Sequence, residues 1–563
     1  MGNRPDGLFG SQLENGVSRA LTIKDWAQST RTDTRSFRPT NPHPTGPATE
    51  TLPHTRRKFL RTATLGSVAL SLAARLNAQQ APTVAPKGLA RPPLRPNLLF
   101  LWTDQHRGDT VPWAGNTALK APNFFAPLGE CSFLFHHARI AQPVCTPSRG
   151  SIMSGLCPHN HGALNNNQHY RDGVRTLAEY LPPEYATAYY GKWHLGNENK
   201  ALHGFRDWRS LEDIYRKFYT NPADLKQFSD YHNFLLARGY PPDGPDNDSD
   251  GAPIFSRTMA AAMPEPCTKV AFLANEAGKF LQARRDGKPF VLYVNSLEPH
   301  APTYGPLNGL HDPAAMPAGP AFANYPGPQA TKAVQQTLAE YKKKGYKNHP
   351  ISSEADWRRL RANYYGLVSM VDNAYARVRR ALEASGQADN TIVVYTSDHG
   401  DMCGDHCLMG KGNFYEGSVH VPLAIHVPWL SRRRVDYLGP ISSVDLVPTL
   451  LDLLQVENSG KFDGVSRAGA LRQPGTWRAE DITCEWNDVA AASLHGRSRI
   501  TSDGWKLNLY QGGPPEFFDL KSDPGELRNV AGAPAQRDRF RRLTDELRAW
   551  QQATRDTVAL TTG

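Results

Sequence analysis

Past its N-terminal leader, the sequence lacks any apolar run of the roughly 20 residues that a membrane-spanning helix needs, which excludes a multi-span membrane protein. It also lacks a concentrated charge of one sign. The formal net charge is +10, but residues 1–78 carry eleven Arg or Lys against five Asp or Glu, leaving only +4 for the rest of the 563 residues. The remaining basic runs, Arg432-Arg433-Arg434 and Lys342-Lys343-Lys344, are short and read as solvated faces, so no nucleic-acid-binding patch is expected. Cysteine is scarce and odd in number: seven, at 131, 145, 157, 267, 403, 407 and 484. In an oxidising compartment at least one of them is then unpaired or chemically special. What the chain does have is an ordinary globular composition, with 39% hydrophobic and 21% charged residues, which excludes a wholly disordered chain. Gly 46 and Pro 45 show no collagen-like period and predict many loops.

The first 54 residues are polar and without hydrophobic periodicity, and read as a disordered or overlong N-terminal extension. Thr55-Arg56-Arg57-Lys58-Phe59-Leu60-Arg61 then precedes an apolar run from Thr62 to Ala74, the length of a signal-peptide core rather than of a span. The arginine pair resembles a bacterial twin-arginine export signal. It predicts passage through the twin-arginine machinery in folded form, cleavage near Ala78, a Pro-rich linker over 79–95, and a periplasmic or secreted protein with no stable membrane insertion after processing.

Beyond the linker, strand-like runs alternate with helical patterns, as in a mostly parallel α/β sheet flanked by helices. The run Asn97–Trp102 stops at Thr103-Asp104-Gln105. Thr391–Thr396 stops at Ser397-Asp398-His399-Gly400-Asp401, and Phe290–Asn295 is followed by Glu298-Pro299-His300. Open parallel sheets bind ligands outside the carboxyl ends of their strands, so these ends place polar groups on one rim. Asp104, Gln105 and Asp398 offer oxygen ligands and His399 a nitrogen, a mixture suited to Ca²⁺ or Mg²⁺, with Mn²⁺ a looser alternative. Cys403 and Cys407, with His406 between them, allow either zinc, a local disulfide or two free thiols.

Cys145-Thr146-Pro147-Ser148-Arg149-Gly150 opens a helical pattern, with Pro147 in its first turn. That places the Cys145 thiol near free amides and the positive end of a helix dipole, which favour negative charge. Residue by residue the segment resembles the Cys-x-Pro-Ser-Arg signature of type I sulfatases, in the alkaline-phosphatase superfamily. Four further stretches follow the family's order: Thr103-Asp104-Gln105, Gly191-Lys192-Trp193-His194-Leu195-Gly196, Pro299-His300, and Ser397-Asp398-His399-Gly400 through Gly410-Lys411-Gly412. Asp523-Pro524-Gly525-Glu526 resembles the family's C-terminal ending, so the likeness runs from roughly residue 95 to 550. Two positions depart from the common pattern: Gln105 stands where many sulfatases carry a second Asp, and His399 where many carry Asn.

The resemblance implies that a formylglycine-generating enzyme oxidises Cys145 to Cα-formylglycine. One hydroxyl of the aldehyde hydrate attacks sulfur and releases the alcohol; deprotonation of the other expels sulfate. It further implies one divalent cation on Asp104, Gln105, Asp398 and His399, with residue 145 also reaching it. Arg149 would orient the hydrate, and Lys192 and Lys411 would clamp sulfate oxygens. The leaving alkoxide would take its proton from His300 with Lys411. The base would be His194, with Asp398 as an alternative acceptor. His159, His161 and His169 read as surface or pocket-wall residues, and Asn165-Asn166-Asn167 as either pocket lining or a turn. The expected activity is hydrolysis of a small-molecule or carbohydrate sulfate ester, and the alternative is a phosphonate monoester or phosphodiester hydrolase on the same fold. The catalytic domain is expected over 96–440, with loop-forming insertions at 212–265 and 301–355. A smaller C-terminal α/β subdomain is expected over 441–555, with short antiparallel strands in 494–522 and an amphipathic helix over 537–552.

Overall fold

The structure is a computed structural model describing residues 93–562, apart from 220, 246–250, 285–286, 328–329, 348, 458 and 488–494. The N-terminal extension, the export signal and most of the Pro-rich linker lie outside the described residues.

The central sheet begins with β1 (Asn97–Asp104), β2 (Phe133–Arg139), β3 (Ala186–Gly191) and β4 (Asp207–Arg209). Two short strands, β5 (Gly244–Pro245) and β6 (Pro253–Ile254), pair apart from it; β7 (Phe290–Pro299), β8 (Thr391–Ser397), β9 (Ala424–His426) and β10 (Val435–Ser442) complete it. The order is β10-β2-β9-β8-β1-β7-β3-β4, parallel except where β9 runs against β2 and β8. Every residue of β1 is buried, the near-continuous apolar pattern expected when helices cover both faces.

Successive side chains of a strand point to opposite faces, and here they feed two cores. Leu99 and Leu101 pack with residues of the helices Lys269–Ala283 and Glu354–Ala384. Leu98, Phe100 and Trp102 pack on the other side with Ile152 and Met153 of the helix Cys145–Ser154 and with Leu446 and Leu450 of the helix Leu446–Leu453. The long helix Glu354–Ala384 starts in a capping box, in which Ser353 and Asp356 satisfy each other's backbone N–H groups. Pro448 is the third residue of Leu446–Leu453, within the first turn, where its missing N–H costs no helical hydrogen bond.

A second, four-stranded antiparallel sheet runs in the order β11 (Ile482–Trp486), β12 (Gly496–Ile500), β13 (Trp505–Tyr510), β14 (Glu516–Asp519). Three of these strands fall in the segment expected to hold them, and β11 precedes it. The helix Arg537–Thr554 packs Leu543 and Leu547 on Leu507, Leu509 and Phe517 of this sheet. No helix of the described residues is long and apolar enough to cross a membrane. All seven cysteines are unpaired. Cys403 packs in the main core and Cys407 in a separate cluster with Phe322 and Met409, so the local disulfide their spacing allows does not form. Nor do the described residues assemble a zinc ligand set around them.

Candidate active site

Four strand ends of the central sheet converge. Asp104 is the last residue of β1, Asp398 and His399 follow β8, Lys192 follows β3, and His300 follows β7. The pairing of β1 with β7 shifts so that Thr103 faces Ser296 but Asp104 faces Pro299, which gives β7 two extra residues just before His300. Gly191, at φ +124, sits so close to the Asn295 carbonyl that any β-carbon would collide with it, and this close approach delivers Lys192 to the rim. The first turn of Cys145–Ser154 enters from the opposite face, with the Ser148 hydroxyl donating to the Asp398 carbonyl.

The ligand atoms of Asp104, Cys145, Asp398 and His399 all lie within 4.8 Å of one another, and the four residues are buried. Cys145 Sγ is 3.1 Å from His399 Nε2 and 3.8 Å from Asp104 Oδ1. His399 Nδ1 donates to the Gly400 carbonyl at 3.0 Å, which leaves the Nε2 lone pair facing the cluster. Two cations sit among these carboxylates. Arg149 Nη2 lies 3.1 Å from Asp104 and 2.8 Å from Asp398, and Lys192 Nζ is 2.5 Å from Asp104. The Lys192 carbonyl accepts from Arg149 Nη1 at 2.8 Å, and the guanidinium rests 5.0 Å from the Trp102 ring centroid.

Electrostatics follow from this packing. Burial alone would raise the Asp104 carboxyl, but Lys192, His300 and Arg149 hold it well below the usual carboxylate range. Burial and Asp104 push the Cys145 thiol up; Lys192, Lys411 and His399 outweigh them and bring it down to about 7. Burial lowers Arg149 and Lys192, yet the neighbouring carboxylates more than reverse this and keep both charged. Burial, with nearby Lys192 and Arg149, drives His194 well below its ordinary value, and burial with Lys411 does the same to His300.

Hydrogen bonding fixes which histidine nitrogen is free. His300 Nδ1 donates to the Ala301 carbonyl at 2.7 Å, so Nε2 carries the lone pair. His194 Nε2 donates to Asn167 Oδ1 at 3.0 Å, leaving a buried Nδ1 with no partner. Asn166 Oδ1 accepts the Thr146 amide at 3.1 Å, so two of the three consecutive asparagines belong to the pocket wall. Gln105 lies one residue beyond the strand, where its amide oxygen accepts Lys411 Nζ at 2.7 Å and its amide nitrogen reaches Asp401. His161 is fully buried beneath the nucleophile helix, 3.0 Å from the Pro147 carbonyl, and His159 pairs with Glu485.

The surroundings hold groups to which sequence reasoning gave no role. The Tyr215 ring lies tilted against His194, with centroids 4.3 Å apart, and its hydroxyl accepts from Arg257 Nη2 at 2.6 Å. Arg257 also grips Glu212 with two hydrogen bonds. Glu198 accepts the backbone N–H groups of Trp193 and His194, and burial raises its carboxyl to about 7. Tyr215 and Arg257 come from the insertion at 212–265, whose distance from the motifs along the chain hid them. The Gly-Lys-Trp-His-Leu-Gly loop with a glutamate two residues later was the available signal for Glu198.

The donor set can be tested against a divalent cation. Oxygen ligands sit about 2.3–2.6 Å from Ca²⁺, so opposed donors are separated by about 5 Å, and the four atoms here fall within that span. The buried Asp398 Oδ2, close to Arg149, has no aligned hydrogen bond, and the His399 lone pair points inward. A metal fits. Cys157, His159 and Glu485 form the other close group of this kind among the described residues.

The sulfatase family model matches residues 96–456, and a model of the C-terminal region of N-sulphoglucosamine sulphohydrolase matches 404–553. A choline-sulfatase of Rhizobium meliloti (strain 1021) is 30% identical over 456 residues, covering 78% of this chain and 83% of its own. An arylsulfatase of Clostridium perfringens (strain 13 / Type A) is 29% identical, covering 79% and 92%. Among solved structures, the phosphonate monoester hydrolase of Agrobacterium radiobacter superposes with a TM-score of 0.67 at 26% identity, covering 82% of this chain and 96% of its own. A protein solved in complex with D-glucosamine-2-N,6-O-disulfate shares the fold with a TM-score of 0.65 at 23% identity, covering 82% and 99%. With the family model spanning well over half of the chain, and its motifs meeting at one sheet rim, this protein belongs to the sulfatase family of the alkaline-phosphatase superfamily and is a sulfuric ester hydrolase.

Proposed function

We propose that the protein is an exported sulfatase that cleaves a sulfate monoester at Cys145 after that residue has become formylglycine, with one Ca²⁺ or Mg²⁺ beside it. The observation that carries this reading is the meeting of Asp104, Cys145, Asp398 and His399 within 4.8 Å under two buried cations. Asp104, Asp398 and His399 would hold the metal, with Gln105 adjoining, and the side chain of residue 145 would face it. Bound there, the metal would polarise sulfuryl oxygens and favour the deprotonated nucleophile.

The chain's own groups divide the rest. Arg149 stays charged between both carboxylates and orients residue 145. Lys192 and Lys411 bind sulfate oxygens from two sides of the pocket. His194, kept neutral and with Nδ1 unpartnered, is the proton acceptor for sulfate release. His300 is kept neutral with its lone pair on Nε2, an acceptor in the free site, so the proton for the leaving alkoxide falls to Lys411. The sulfated glucosamine bound by one structural neighbour and the name of a relative, an N-acetylglucosamine-6-O-sulfatase, favour a sulfated carbohydrate as substrate.

Protein co-expressed with a formylglycine-generating enzyme should show, by peptide mass spectrometry, an aldehyde at position 145. It should turn over an aryl sulfate faster than the matching aryl phosphonate. A faster phosphonate reaction would move the assignment to the phosphonate hydrolase branch, and a thiol retained in fully active protein would remove the nucleophile assignment.

A further inference from the structure

The loop from Gly191 to Gly196 carries two groups of the site, Lys192 and His194, with the buried Trp193 between them. The backbone N–H groups of Trp193 and His194 converge on one side chain: Glu198 Oε2 accepts from Trp193 at 2.9 Å, and Oε1 from His194 at 2.5 Å. Successive amides aimed at one anion form a nest, a cradle that commonly binds phosphate; here the chain fills it with its own carboxylate. His194 stands in the left-handed region at φ +59, which a residue with a β-carbon adopts only at a cost. Glu198 is itself pinned. It is fully buried, its N–H donates to the Tyr219 hydroxyl at 2.9 Å, and its carbonyl accepts from Trp208 Nε1 at 2.6 Å.

The other edges of His194 are tied to the nucleophile segment. Its carbonyl accepts from the Thr146 hydroxyl at 2.7 Å, next to Cys145, and its Nε2 donates to Asn167, whose own N–H reaches the same hydroxyl at 3.2 Å. Glu198 is the one ionisable group in this set. Burial raises its carboxyl to about 7 although the two amides pull it down, so its anion is kept at a cost to the fold. A residue that only closed the loop could be neutral. Without the carboxylate both amides are stranded, and His194 can relax from φ +59, taking its unpartnered Nδ1 out of place. Lys192, on the other side of the nest, has an independent hold, because its carbonyl accepts from Arg149 Nη1 at 2.8 Å and from the Tyr189 hydroxyl at 2.5 Å. The loss of Glu198 therefore falls on His194.

Resting on the sulfatase reading, we propose that Glu198 is the positioning residue for sulfate release: by filling the nest it holds His194 so that Nδ1 takes the proton from the hydroxyl of residue 145. Glu198 acts only through His194. Release of the alcohol, which draws on Lys411 and on the paired charges of Arg149 and Lys192, does not depend on it.

The test separates the two half-reactions of the full, formylglycine-bearing, metal-loaded enzyme on an aryl sulfate. Glu198→Gln, which offers one acceptor where two amides need two, should slow sulfate release about 100-fold, the effect of a base put about 1 Å out of place. The first burst of alcohol should stay within about threefold of the wild type's. In a His194→Ala background the same change should cost less than about twofold more, since two residues that act as one unit do not add. A readout independent of turnover is the crystal structure of the unmodified Cys145 protein, in which Glu198→Gln should take His194 off its 3.0 Å contact with Asn167. If Glu198→Gln does not fold, Glu198→Asp, which keeps the charge but falls one methylene short, is measured against the same limits. Sulfate release within about threefold of the wild type, equal slowing of both half-reactions, an unmoved His194, or an undiminished loss in the His194→Ala background would overturn this inference and leave the sulfatase reading standing. If the wild type releases no sulfate from the ester, the sulfatase reading fails and takes this inference with it.

Discussion

The floor and the mouth of the active site are built by different means. On the floor, Asp104, Asp398, Arg149 and Lys192 are almost wholly buried, sit at strand ends or in the first turns of a helix, and are paired with one another. Around it, Tyr215 and Arg257 come from a long insertion; Tyr215 is buried, and Arg257, half-buried, pairs with buried Glu212. Buried charges persist only when each is matched, so the floor is a closed network in which removing one member strands another. In the surroundings only Arg257 reaches water, and the neutral Tyr215 hydroxyl can be changed there without stranding a charge. Chemistry is therefore expected to be fixed at the floor, and selectivity to be adjustable at the mouth.

The comparison can be broken most directly at Cys145. Cys145→Ala should cost more than about 1,000-fold in kcat, as loss of a covalent nucleophile does, and a melting curve close to the wild type's would show that the loss is chemical. Arg149→Met would strand Asp104 and Asp398 in the interior, and loss of about 3–5 kcal/mol of unfolding free energy is expected in denaturant titration, together with collapse of turnover. If it melts like the wild type, the floor is not the closed network described here.

A pH experiment is gentler. Burial raises Glu198 from its ordinary value of 4.5 to about 7. A carboxyl raised on folding favours its protonated form, so its contribution is fully present below pH 4.5 and is lost as pH rises through about 7. On the order of 3 kcal/mol of stability should drain away across that window. Glu198→Gln should flatten the pH dependence of unfolding there; an unchanged slope would mean that Glu198 does not titrate in that range. The smallest effect belongs to the mouth. Tyr215→Phe removes the 2.6 Å hydrogen bond from Arg257 and should cost about 1 kcal/mol or less, with kcat/KM for a plain aryl sulfate within about threefold of the wild type. A loss approaching that of Arg149→Met would place Tyr215 on the floor.

Much of the floor was legible in the chain because each piece is local. Asn97–Trp102 and Thr391–Thr396 are apolar runs that can only be buried strands, and the residue that follows such a run must emerge at the sheet edge. Pro147 marked a helix start and so placed Cys145 at its first turn. Gln105 reads from the sequence as a metal-facing group, and the structure engages its amide with Lys411 and Asp401, 306 and 296 positions away along the chain. No pattern along the chain encodes that contact. The same holds for β11, which is short, precedes a segment outside the described residues, and gains its place by pairing with β12 and by packing Ile482 and Cys484 into the core of the central sheet.

By itself, then, the order of residues determined the elements and which chemical groups stand at their ends, because strand and helix periods are set by neighbours within a few positions. Which histidine nitrogen is free and which cation lies between the two carboxylates were decided only by tertiary structure. Those properties depend on hydrogen-bond partners and charges brought together from distant segments, and an electrostatic contact acts through distance in space, whatever the separation along the backbone.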